Sequence, residues 1–422
     1  MELRAPKGTV DMLPDAARAW ERLSETAHAL FARYGYEPIY TPLLEHTELF
    51  ARGIGETTDI VTKEMYTFAD RSGRSLTLRP EGTAGVVRAA IEHSLVPQGS
   101  VAKFYYAGPM FRYERPQKGR MRQFWQIGVE LLGAAEPSAD AEVIALLVRY
   151  FESLGLPRER MRLLVNSMGD EACRPAYRDS VAAYIRAHED GLCEECRRRA
   201  DTNPLRAFDC KNESCQAVMA GAPRISDALC DECRAHYEAV KRRLDALGVA
   251  YEEEPRLVRG LDYYTRTVFE VQAEGLGAQN AIGGGGRYDG LFATLGGPPT
   301  PGLGFALGFE RTLLALRAAG VEPGAAEGVA AYVAAVDESA RDAVFGLAMA
   351  LRDAGVAAEL DHRGRSLKAQ LKHADKLGAR VAVIVGPDEL ASGEATVRDM
   401  LTKDEQRVAL EDVPAHVAAL LG

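Results

Sequence analysis

The chain has 422 residues, which is more than one ordinary domain of about 100–200 residues holds. Its 47% hydrophobic and 27% charged residues are typical of a folded globular protein and exclude a collagen-like or disordered chain. The net charge of −10 argues against the wholly basic surface of a general nucleic-acid binder, although it allows a local basic patch.

Neither the N-terminus nor any apolar stretch predicts export or membrane insertion. The first residues carry charges where a signal peptide needs an apolar core. The run 329–336 is among the longest apolar stretches and is far shorter than the ~18 residues of a membrane span. All seven cysteines lie between Cys173 and Cys233, unlike the scattered pairs of a secreted disulfide scaffold. We therefore predict a cytoplasmic chain with reduced thiols and no membrane partner.

The first 169 residues predict a mixture of helices and antiparallel strands. Apolar residues at helical spacing predict a helix over 14–34, which ends at Gly35. Strands are predicted at 75–78, 100–111, 121–132 and 161–166, and helices at 82–95 and 140–154. Because a polar loop separates them, the strands at 100–111 and 121–132 should form an antiparallel hairpin.

The remaining chain predicts an insert, a linker and a second domain. Residues 170–247 hold every cysteine in Arg/Glu-rich helical segments, and they interrupt a strand-rich pattern that resumes at Arg256. The first domain therefore covers 1–169 and 248–320 and ends in a helix at 310–319, and the composition of 321–328 suits a linker. From 329 to 422, alternating strands and helices predict a small parallel or mixed α/β domain.

The common signatures of nucleotide-binding and hydrolytic enzymes are absent from the sequence. It contains no GxxxxGK[ST] phosphate loop, no HExxH zinc motif and no GxSxG nucleophile elbow, and its glycine runs do not fit GxGxxG after a strand.

A basic segment follows the predicted strand 100–111. Between Arg112 and Arg122, five basic residues accompany a single acid, Glu114. Arg112 lies late in the strand, where a planar guanidinium can bind phosphate through two oxygens, although a solvated hairpin tip is the alternative. Phe124 could stack on a base or simply pack in the core.

Two further segments carry candidate binding residues. In LRPEGT, Glu81 could bind an ammonium group and Thr83 could cap a helix. RGLDYYTRTVFE places Arg259 and the pair Tyr263 and Tyr264 before a strand. The four glycines of GGGGRYDG would let backbone approach a ligand closely or would serve a sharp bend. Each of these signals is weak by itself.

Taken in order along the chain, these segments resemble the class II aminoacyl-tRNA synthetases, and among them the histidyl-tRNA synthetase family. The resemblance covers nearly the whole chain. Two of the segments, LVRGLDYY and GGGGRYDG, separate that family from other class II members. The matching segments are PKGTVD, YTPLLE (motif 1), LRPEGT, GPMFRYERPQKGRMRQFWQIGVE (motif 2), LVRGLDYYTRTVFE, GGGGRYDGL and GLGFALGFER (motif 3).

The resemblance implies that the chain activates histidine with ATP and Mg²⁺ and then transfers it to tRNA(His). It places Arg112 and Arg259 at the α-phosphate and the histidine carboxylate, where they stabilise developing charge. It also places Arg311 at the γ-phosphate, Glu114 at the adenine amino group and Phe124 against the adenine ring, with Mg²⁺ bridging the β- and γ-phosphates.

The resemblance also implies a pocket for the histidine substrate. Glu81 and Thr83 would bind the ammonium group, and Tyr263 and Tyr264 would help to wall the imidazole. The ligand's other polar groups would meet Gln126 and Glu130, which are four residues apart and so project from one strand face. Trp125 stands where relatives often have histidine, but it points to the opposite face.

For tRNA, the resemblance implies contacts from both domains. Arg120 and Arg122 would contribute from the motif 2 loop, and Arg365, Lys368 and Lys372 from an anticodon-binding C-terminal domain. Lysines at 368, 372 and 376 share one helical face, which suits a phosphate backbone but is also an ordinary solvated surface.

The cysteines of the insert allow a structural zinc site. CEEC and CDEC are two CxxC pairs, so Cys193, Cys196, Cys230 and Cys233 could bind one zinc ion, and Cys210 and Cys215 lie between them as substitutes for one pair. Because the family as a whole does not need structural zinc, reduced thiols without metal are the alternative.

The fold expected from the resemblance is an α+β catalytic domain on a mixed, mainly antiparallel sheet, with a helical insert and a C-terminal α/β anticodon-binding domain. The function expected is that of a homodimeric histidine–tRNA ligase. One alternative is a non-catalytic regulatory paralogue that partners a histidine-biosynthetic phosphoribosyltransferase. Another is a threonine or proline ligase of the same class, for which the two family-specific segments would have to be coincidental.

Overall fold

The computed structural model describes residues 3–56, 58–258, 260–324 and 328–421. The chain forms two compact units, 1–324 and 325–422, whose division falls inside the segment predicted as a linker. None of the helices in the described ranges combines the length and the apolar content needed to cross a membrane.

The first unit is built on an eight-stranded sheet with a three-stranded sheet beside it. The strand order of the large sheet is β1-β5-β6-β11-β10-β9-β7-β8, and its neighbours are antiparallel except for the edge pairs β1–β5 and β7–β8. The small sheet has the order β2-β4-β3 and is antiparallel. The strands are β1 (Glu37–Pro38), β2 (Leu44–His46), β3 (Tyr66–Ala69), β4 (Ser75–Leu78), β5 (Ala102–Phe111), β6 (Gln123–Leu132), β7 (Met161–Ser167), β8 (Glu252–Glu253), β9 (Thr265–Ala273), β10 (Ala281–Arg287) and β11 (Gly302–Gly308).

Helices cover the large sheet and form the inserted segment. Most residues of α4 are buried, because it lies between the sheet and other helices. The helices are α1 (Pro14–Arg33), α2 (Thr47–Ile54), α3 (Thr83–Glu92), α4 (Pro137–Ser153), α5 (Arg174–Ala187), α6 (Glu194–Thr202), α7 (Glu213–Met219), α8 (Ile225–Ala228), α9 (Asp231–Ala246), α10 (Leu291–Thr294) and α11 (Phe309–Ala318).

The predicted hairpin is confirmed and sets the two faces of the sheet. Strands β5 and β6 pair from Ala102↔Leu132 to Phe111↔Gln123. Alternate residues of β6, including Ile127 and Val129, enter the main core. Trp125 also packs on that side, 4.8 Å from Trp20 between ring centroids. The opposite face of β6 therefore presents Phe124, Gln126 and Glu130.

The helices between 174 and 246 belong to the same compact unit as the sheet. Helix α9 packs against α4, and Tyr237, Val240 and Leu244 are buried in the main core. Helices α5 to α8 instead share a second core with β9 and the cysteines. The last helix of the predicted insert, α9, is therefore part of the main core that packs against the sheet.

One ion pair inside this unit fixes β10 to α4. The guanidinium of Arg287, in the segment GGGGRYDG, contacts the carboxylate of Asp140, and both side chains are fully buried. The arginine of this glycine-rich segment is therefore structural and points away from the open side of the sheet.

The second unit is the predicted mixed α/β fold. Its sheet has the order β13-β12-β14-β15-β16, parallel over the first three strands and antiparallel over the last two pairs. The sequence patterns did not predict three of its elements, α14, β16 and α15. The elements are β12 (Ala331–Ala335), α12 (Arg341–Asp353), β13 (Ala358–Leu360), α13 (Leu367–Lys376), β14 (Val381–Val385), α14 (Pro387–Ser392), β15 (Glu394–Asp399), β16 (Glu405–Ala409) and α15 (Val413–Leu421). Together the two units confirm the predicted fold class.

Candidate active site

A cavity of about 330 Å³ opens on the face of the large sheet opposite the main core. Strands β6, β10 and β11 form its floor, and the start of α3, the loop after β5 and the segment before β9 form its walls. The cavity brings together ten of the predicted site residues: Glu81, Thr83, Arg112, Glu114, Arg120, Phe124, Gln126, Tyr263, Tyr264 and Arg311.

Glu81 lies at the N-terminus of α3 and is only 5% exposed. Its carboxylate accepts hydrogen bonds from the backbone N–H groups of Thr83 (2.7 Å) and Ala84 (2.9 Å). The suggestion that Thr83 caps this helix is therefore wrong, because Glu81 provides the cap. Burial raises the pKa of Glu81 above its ordinary value, although these hydrogen bonds favour the ionised form. A cation bound in the cavity would meet a carboxyl group already held in place.

Glu130, which the resemblance places at the ligand's polar groups, is not among the residues that line the cavity. It is 1% exposed and lies behind three hydroxyl groups that do line the cavity. Its carboxyl group accepts hydrogen bonds from Thr83 Oγ1 (2.7 Å), Tyr106 Oη (3.3 Å) and Tyr288 Oη. Burial raises the pKa of Glu130 to about 8. Glu130 therefore orients the hydroxyls that face the ligand space.

Replacing Glu130 with Gln should change how stability depends on pH. Because the pKa of Glu130 is raised to about 8, the folded chain keeps a proton that the unfolded chain loses near pH ~4.3. The stability from this protonated group is present below that lower pKa and is lost as pH rises toward about 8. We expect the melting temperature of Glu130→Gln to rise relative to the parent chain between pH ~5 and pH ~8, as measured by calorimetry.

Glu152→Gln is the matched control, because Glu152 is exposed on α4 and its replacement should leave the difference in melting temperature constant with pH. A constant difference for Glu130→Gln as well would contradict a buried, protonated Glu130.

The sequence did not single out Tyr106 and Tyr288, although both line the cavity. Tyr106 lies opposite Gly128 on β6, and a Cβ atom at Gly128 would lie 2.4 Å from the Tyr106 ring. Tyr288 lies within GGGGRYDG, and its ring is 5.7 Å from that of Tyr263. The only indication of Tyr106 in the sequence was therefore Gly128 on the neighbouring strand. The two residues are brought together by the strand register, which the sequence alone does not give.

Gln126 faces the cavity from β6, and its Oε1 atom is buried. Within the described part of the chain this oxygen has no hydrogen-bond partner. A buried acceptor without a donor costs free energy, on the order of 1–3 kcal/mol, unless a ligand supplies the donor. Gln126 is therefore suited to accept a hydrogen bond from an N–H group of a bound molecule.

The basic side of the cavity contains Arg112 and Arg311. Arg112 Nε donates to the carbonyl oxygen of Pro80 at 2.9 Å, and its guanidinium lies 5.3 Å from the centroid of the Phe124 ring. Arg311 donates to the backbone oxygens of Gly119 and Ala281, both at 3.1 Å. Each guanidinium is thus held by neutral backbone oxygens and keeps its charge for an anion.

Two other residues of the loop after β5 have intramolecular partners. Arg120 Nε lies 2.8 Å from Glu114 Oε2, and both residues line the cavity. Arg122 does not line it, because its guanidinium stacks 3.8 Å from the Tyr113 ring centroid and donates to the backbone oxygen of Glu114. The structure gives Arg122 a packing role beside its predicted contact with tRNA. Arg259 lies outside the described residues.

Glu310 is a third cavity residue that the sequence did not single out. Its carboxylate accepts a hydrogen bond from the backbone N–H of Trp125 at 3.1 Å, which joins α11 to β6. Burial raises the pKa of Glu310 to about 7. The signal was present, since Glu310 directly precedes Arg311 in GLGFALGFER.

The predicted tRNA residues of the second unit lie at and beside α13. Lys368 and Lys372 are exposed on this helix. Arg365 Nε contacts the carboxylate of Asp361, and Asp361 Oδ2 also accepts the backbone N–H of Arg365. The lysines thus present charge to solvent, whereas Arg365 is held by a neighbouring acid.

The cysteines form two clusters, which corrects the predicted single site. Cys193 and Cys196 lie with Cys210 and Cys215, whereas Cys230 and Cys233 lie with Cys173 and Asp170. In each cluster the possible ligand atoms all lie within 4.8 Å of one another. The two CxxC pairs therefore do not face each other, because each has closer partners in its own part of the insert.

The mainly antiparallel sheet, with acidic, aromatic and basic groups collected on its open face, defines the class II aminoacyl-tRNA synthetase fold. A family model described as "Histidyl-tRNA synthetase" matches residues 8–312, and one described as "Anticodon binding domain" matches residues 330–420. The chain belongs to the histidyl-tRNA synthetase family.

Similar proteins extend over the whole chain. A protein of Halothermothrix orenii named "Histidine--tRNA ligase" is 49% identical over 421 residues, which is 100% of each chain. Another of that name, from Anaeromyxobacter dehalogenans, is 52% identical over 99% of this chain and 100% of its own. The crystal structure of apo S. aureus histidyl-tRNA synthetase superposes with a TM-score of 0.83 at 38% identity, covering 99% of this chain and 100% of that one.

Proposed function

We propose that this chain ligates histidine to tRNA in two steps, of which the first consumes ATP. The observation that carries the proposal is full-length similarity, near 50% identity, to proteins named for that reaction. The cavity supports it, because one space offers a buried carboxyl group, an unpartnered amide oxygen and two arginines. These groups suit an ammonium, an imidazole N–H and phosphates respectively.

In the first step the histidine carboxylate attacks the α-phosphorus of ATP, and pyrophosphate leaves. Arg112 would stabilise charge on the α-phosphate and the carboxylate, with Arg259 proposed at the same phosphate on the resemblance alone. Arg311 would bind the γ-phosphate. Catalysis then rests on positioning and on fixed positive charge, with ATP entering as its Mg²⁺ complex.

The adenine and the histidine would occupy the two sides of the cavity. Phe124 would stack on the adenine and Glu114 would accept from its amino group. Glu81 and the Thr83 hydroxyl would bind the ammonium, while Glu130 would act from behind through the hydroxyls that it holds. Gln126 would accept from the imidazole beside Tyr263 and Tyr264.

In the second step a ribose hydroxyl of the terminal adenosine of tRNA(His) attacks the histidyl carbonyl, and AMP leaves. Arg120 lines the cavity and would meet the acceptor end, with Arg122 behind it. Lys368 and Lys372 would contact the RNA backbone, with Arg365 beside them.

We also propose a cytoplasmic homodimer. The small sheet and the segment leading to it expose apolar side chains, including Tyr40 at 80%, Leu44 at 43% and Phe68 at 46%. Exposed apolar clusters of this kind are typical of protein interfaces. The free cysteines suit a reducing compartment.

The test is aminoacylation of tRNA with ATP and each of the twenty amino acids. Only histidine should be activated and attached to tRNA(His). Activity with threonine or proline alone would overturn the proposal, and a complete lack of histidine-dependent pyrophosphate exchange in folded protein would favour the regulatory alternative. Light scattering tests the homodimer separately.

Replacing Lys368 and Lys372 together with Ala should weaken tRNA binding and make it less dependent on salt. Both lysines are exposed, and neither pairs with a carboxylate among the described residues. Loss of two phosphate contacts should reduce the slope of log K against log[salt] by about 1.4–1.8. The measurement is tRNA affinity between 50 and 200 mM salt, at ~25 °C.

The control removes two arginines of the same unit that already have acidic partners. Arg352 lies 3.8 Å from Glu359 and Arg407 lies 3.3 Å from Glu389. Their double replacement with Ala should leave the slope unchanged. If the double lysine variant and the parent chain had the same slope of log K against log[salt], the lysines would form only a solvated surface.

A further inference from the structure

The seven cysteines of the chain are all accounted for by the two clusters. The first, the four-thiol cluster, consists of Cys193, Cys196, Cys210 and Cys215. The second, the mixed cluster, consists of Cys173, Cys230, Cys233 and the carboxylate of Asp170. The two clusters have eight ligand positions, and the Asp170 carboxylate occupies one of them, which explains why the number of cysteines is odd. Each cluster thus offers four ligand atoms, the number that structural zinc takes.

Distances in the four-thiol cluster fit a metal ion and do not fit disulfides. Cys193 Sγ lies 4.0 Å from Cys210 Sγ, whereas a disulfide needs ~2 Å. Four sulfur atoms at the Zn–S distance of ~2.3 Å in a tetrahedron are ~3.8 Å apart. Cys196 and Cys215 are fully buried, so this side of the cluster is closed to solvent, as in structural sites.

Distances in the mixed cluster fit the same geometry with one oxygen. Cys173 Sγ lies 3.8 Å from Cys233 Sγ and 3.4 Å from Asp170 Oδ1. Tetrahedral zinc with Zn–S of ~2.3 Å and Zn–O of ~2.0 Å gives edges of ~3.8 Å and ~3.5 Å. The other oxygen, Asp170 Oδ2, lies 3.4 Å from Arg266 Nη2, so the carboxylate is oriented with Oδ1 toward the sulfurs.

Backbone N–H groups point at sulfur atoms in both clusters. The N–H of Cys193 donates to Cys215 Sγ at 3.2 Å in the four-thiol cluster. In the mixed cluster the N–H groups of Asp170 and Cys233 donate to Cys173 Sγ and Cys230 Sγ. Such donors stabilise thiolates, the form in which cysteine binds metal.

The backbone around Asp170 is shaped to bring these ligands together. Gly169 has a φ of +62°, and a Cβ atom there would lie 2.5 Å from Cys173 Sγ. Arg266 N–H donates to the Gly169 oxygen at 2.7 Å. A glycine is therefore required for both the turn and the close approach of the sulfur.

We propose that each cluster binds one zinc ion, giving two structural zinc sites per chain, one with four thiolates and one with three thiolates and a carboxylate. This proposal does not depend on the proposed function.

Both sites hold the segment that leads into the cavity. Arg206, in the 3₁₀ helix Pro204–Asp209 between α6 and Cys210, donates to the Gly260 oxygen at 2.9 Å. Arg174, one residue after Cys173, donates to the Tyr264 oxygen at 2.9 Å. Zinc at either cluster would therefore stabilise the walls formed by Tyr263 and Tyr264 as well as the insert.

Metal analysis of the full chain, purified without chelator, tests the proposal. We expect two zinc ions per chain in the parent, one in Cys210→Ser, one in Asp170→Ala and none in the double variant. Asp227→Ala, at an exposed position of α8, should retain both ions. Free thiols are counted in the same samples by Ellman titration. A zinc content of one ion or none per parent chain would overturn the proposal. So would Cys210→Ser at the parent's content.

X-ray absorption on the parent protein gives a test that needs no variant. With one four-sulfur and one three-sulfur site, zinc should have on average three and a half sulfur neighbours at ~2.3 Å and half an oxygen at ~2.0 Å. An average of two sulfurs, or a nitrogen-rich shell, would contradict a chain that holds both sites. Adventitious zinc at histidines would give the latter result.

Discussion

Replacing Arg112 with Ala is expected to lower histidine-dependent pyrophosphate exchange by about 10²–10³-fold, because one preorganised donor at a developing charge contributes that much. The guanidinium is held by the Pro80 oxygen and lies over the Phe124 ring, so it is placed before the substrate binds. Arg112→Lys should restore little of the rate, since an ammonium group cannot reproduce the planar fork. The measurement is exchange of labelled pyrophosphate into ATP.

Arg115→Ala is the matched control, because Arg115 is three residues further on and exposed, and it does not line the cavity. Its exchange rate should remain close to that of the parent chain. Exchange by Arg112→Ala at the same rate as Arg115→Ala would remove Arg112 from the proposed phosphate site.

Removing residues 328–422 should leave adenylate formation intact and reduce tRNA charging to a small fraction of its rate. The first unit contains the whole cavity and has its own cores, whereas residues 330–420 match the anticodon-binding family. The expected result is near-normal pyrophosphate exchange with strongly reduced transfer of histidine to tRNA.

The control for this truncation is circular dichroism and light scattering, which must show a folded protein of the parent's oligomeric state. If exchange and charging fell by the same factor in such a protein, activation would not be confined to the first unit.

The patterns of the sequence predicted the sheet and most of the cavity because both depend on local alternation. Gln126 follows Phe124 by two residues, so one strand assignment placed both on the cavity face. The arginines were visible because five basic residues in a short stretch of an acidic chain are unusual. Residues of this kind are found from spacing and charge alone.

Features that depend on contacts between distant segments could not be predicted. Glu130 has the same spacing as Gln126, but whether it reaches the ligand depends on Thr83 and Tyr288, which are 47 and 158 residues away. The prediction that the two CxxC pairs share one site was wrong for the same reason. CxxC spacing identifies each pair but says nothing about its partner, and Asp170 has no signal of its own.

The packing of α9 against α4 has a consequence for how this family can vary. The chain leaves β7 at Ser167, and α9 begins at Asp231, so Asp170 and Cys230, which belong to one cluster, lie at the two ends of the intervening segment. Helices α5 to α8 lie between these two adjoining ends, and changing the length of the connections between them costs little conformational entropy. Residues 231–246 are different, since they support the core of the sheet. Natural insertions and deletions should therefore accumulate between 171 and 229 and stop where α9 begins.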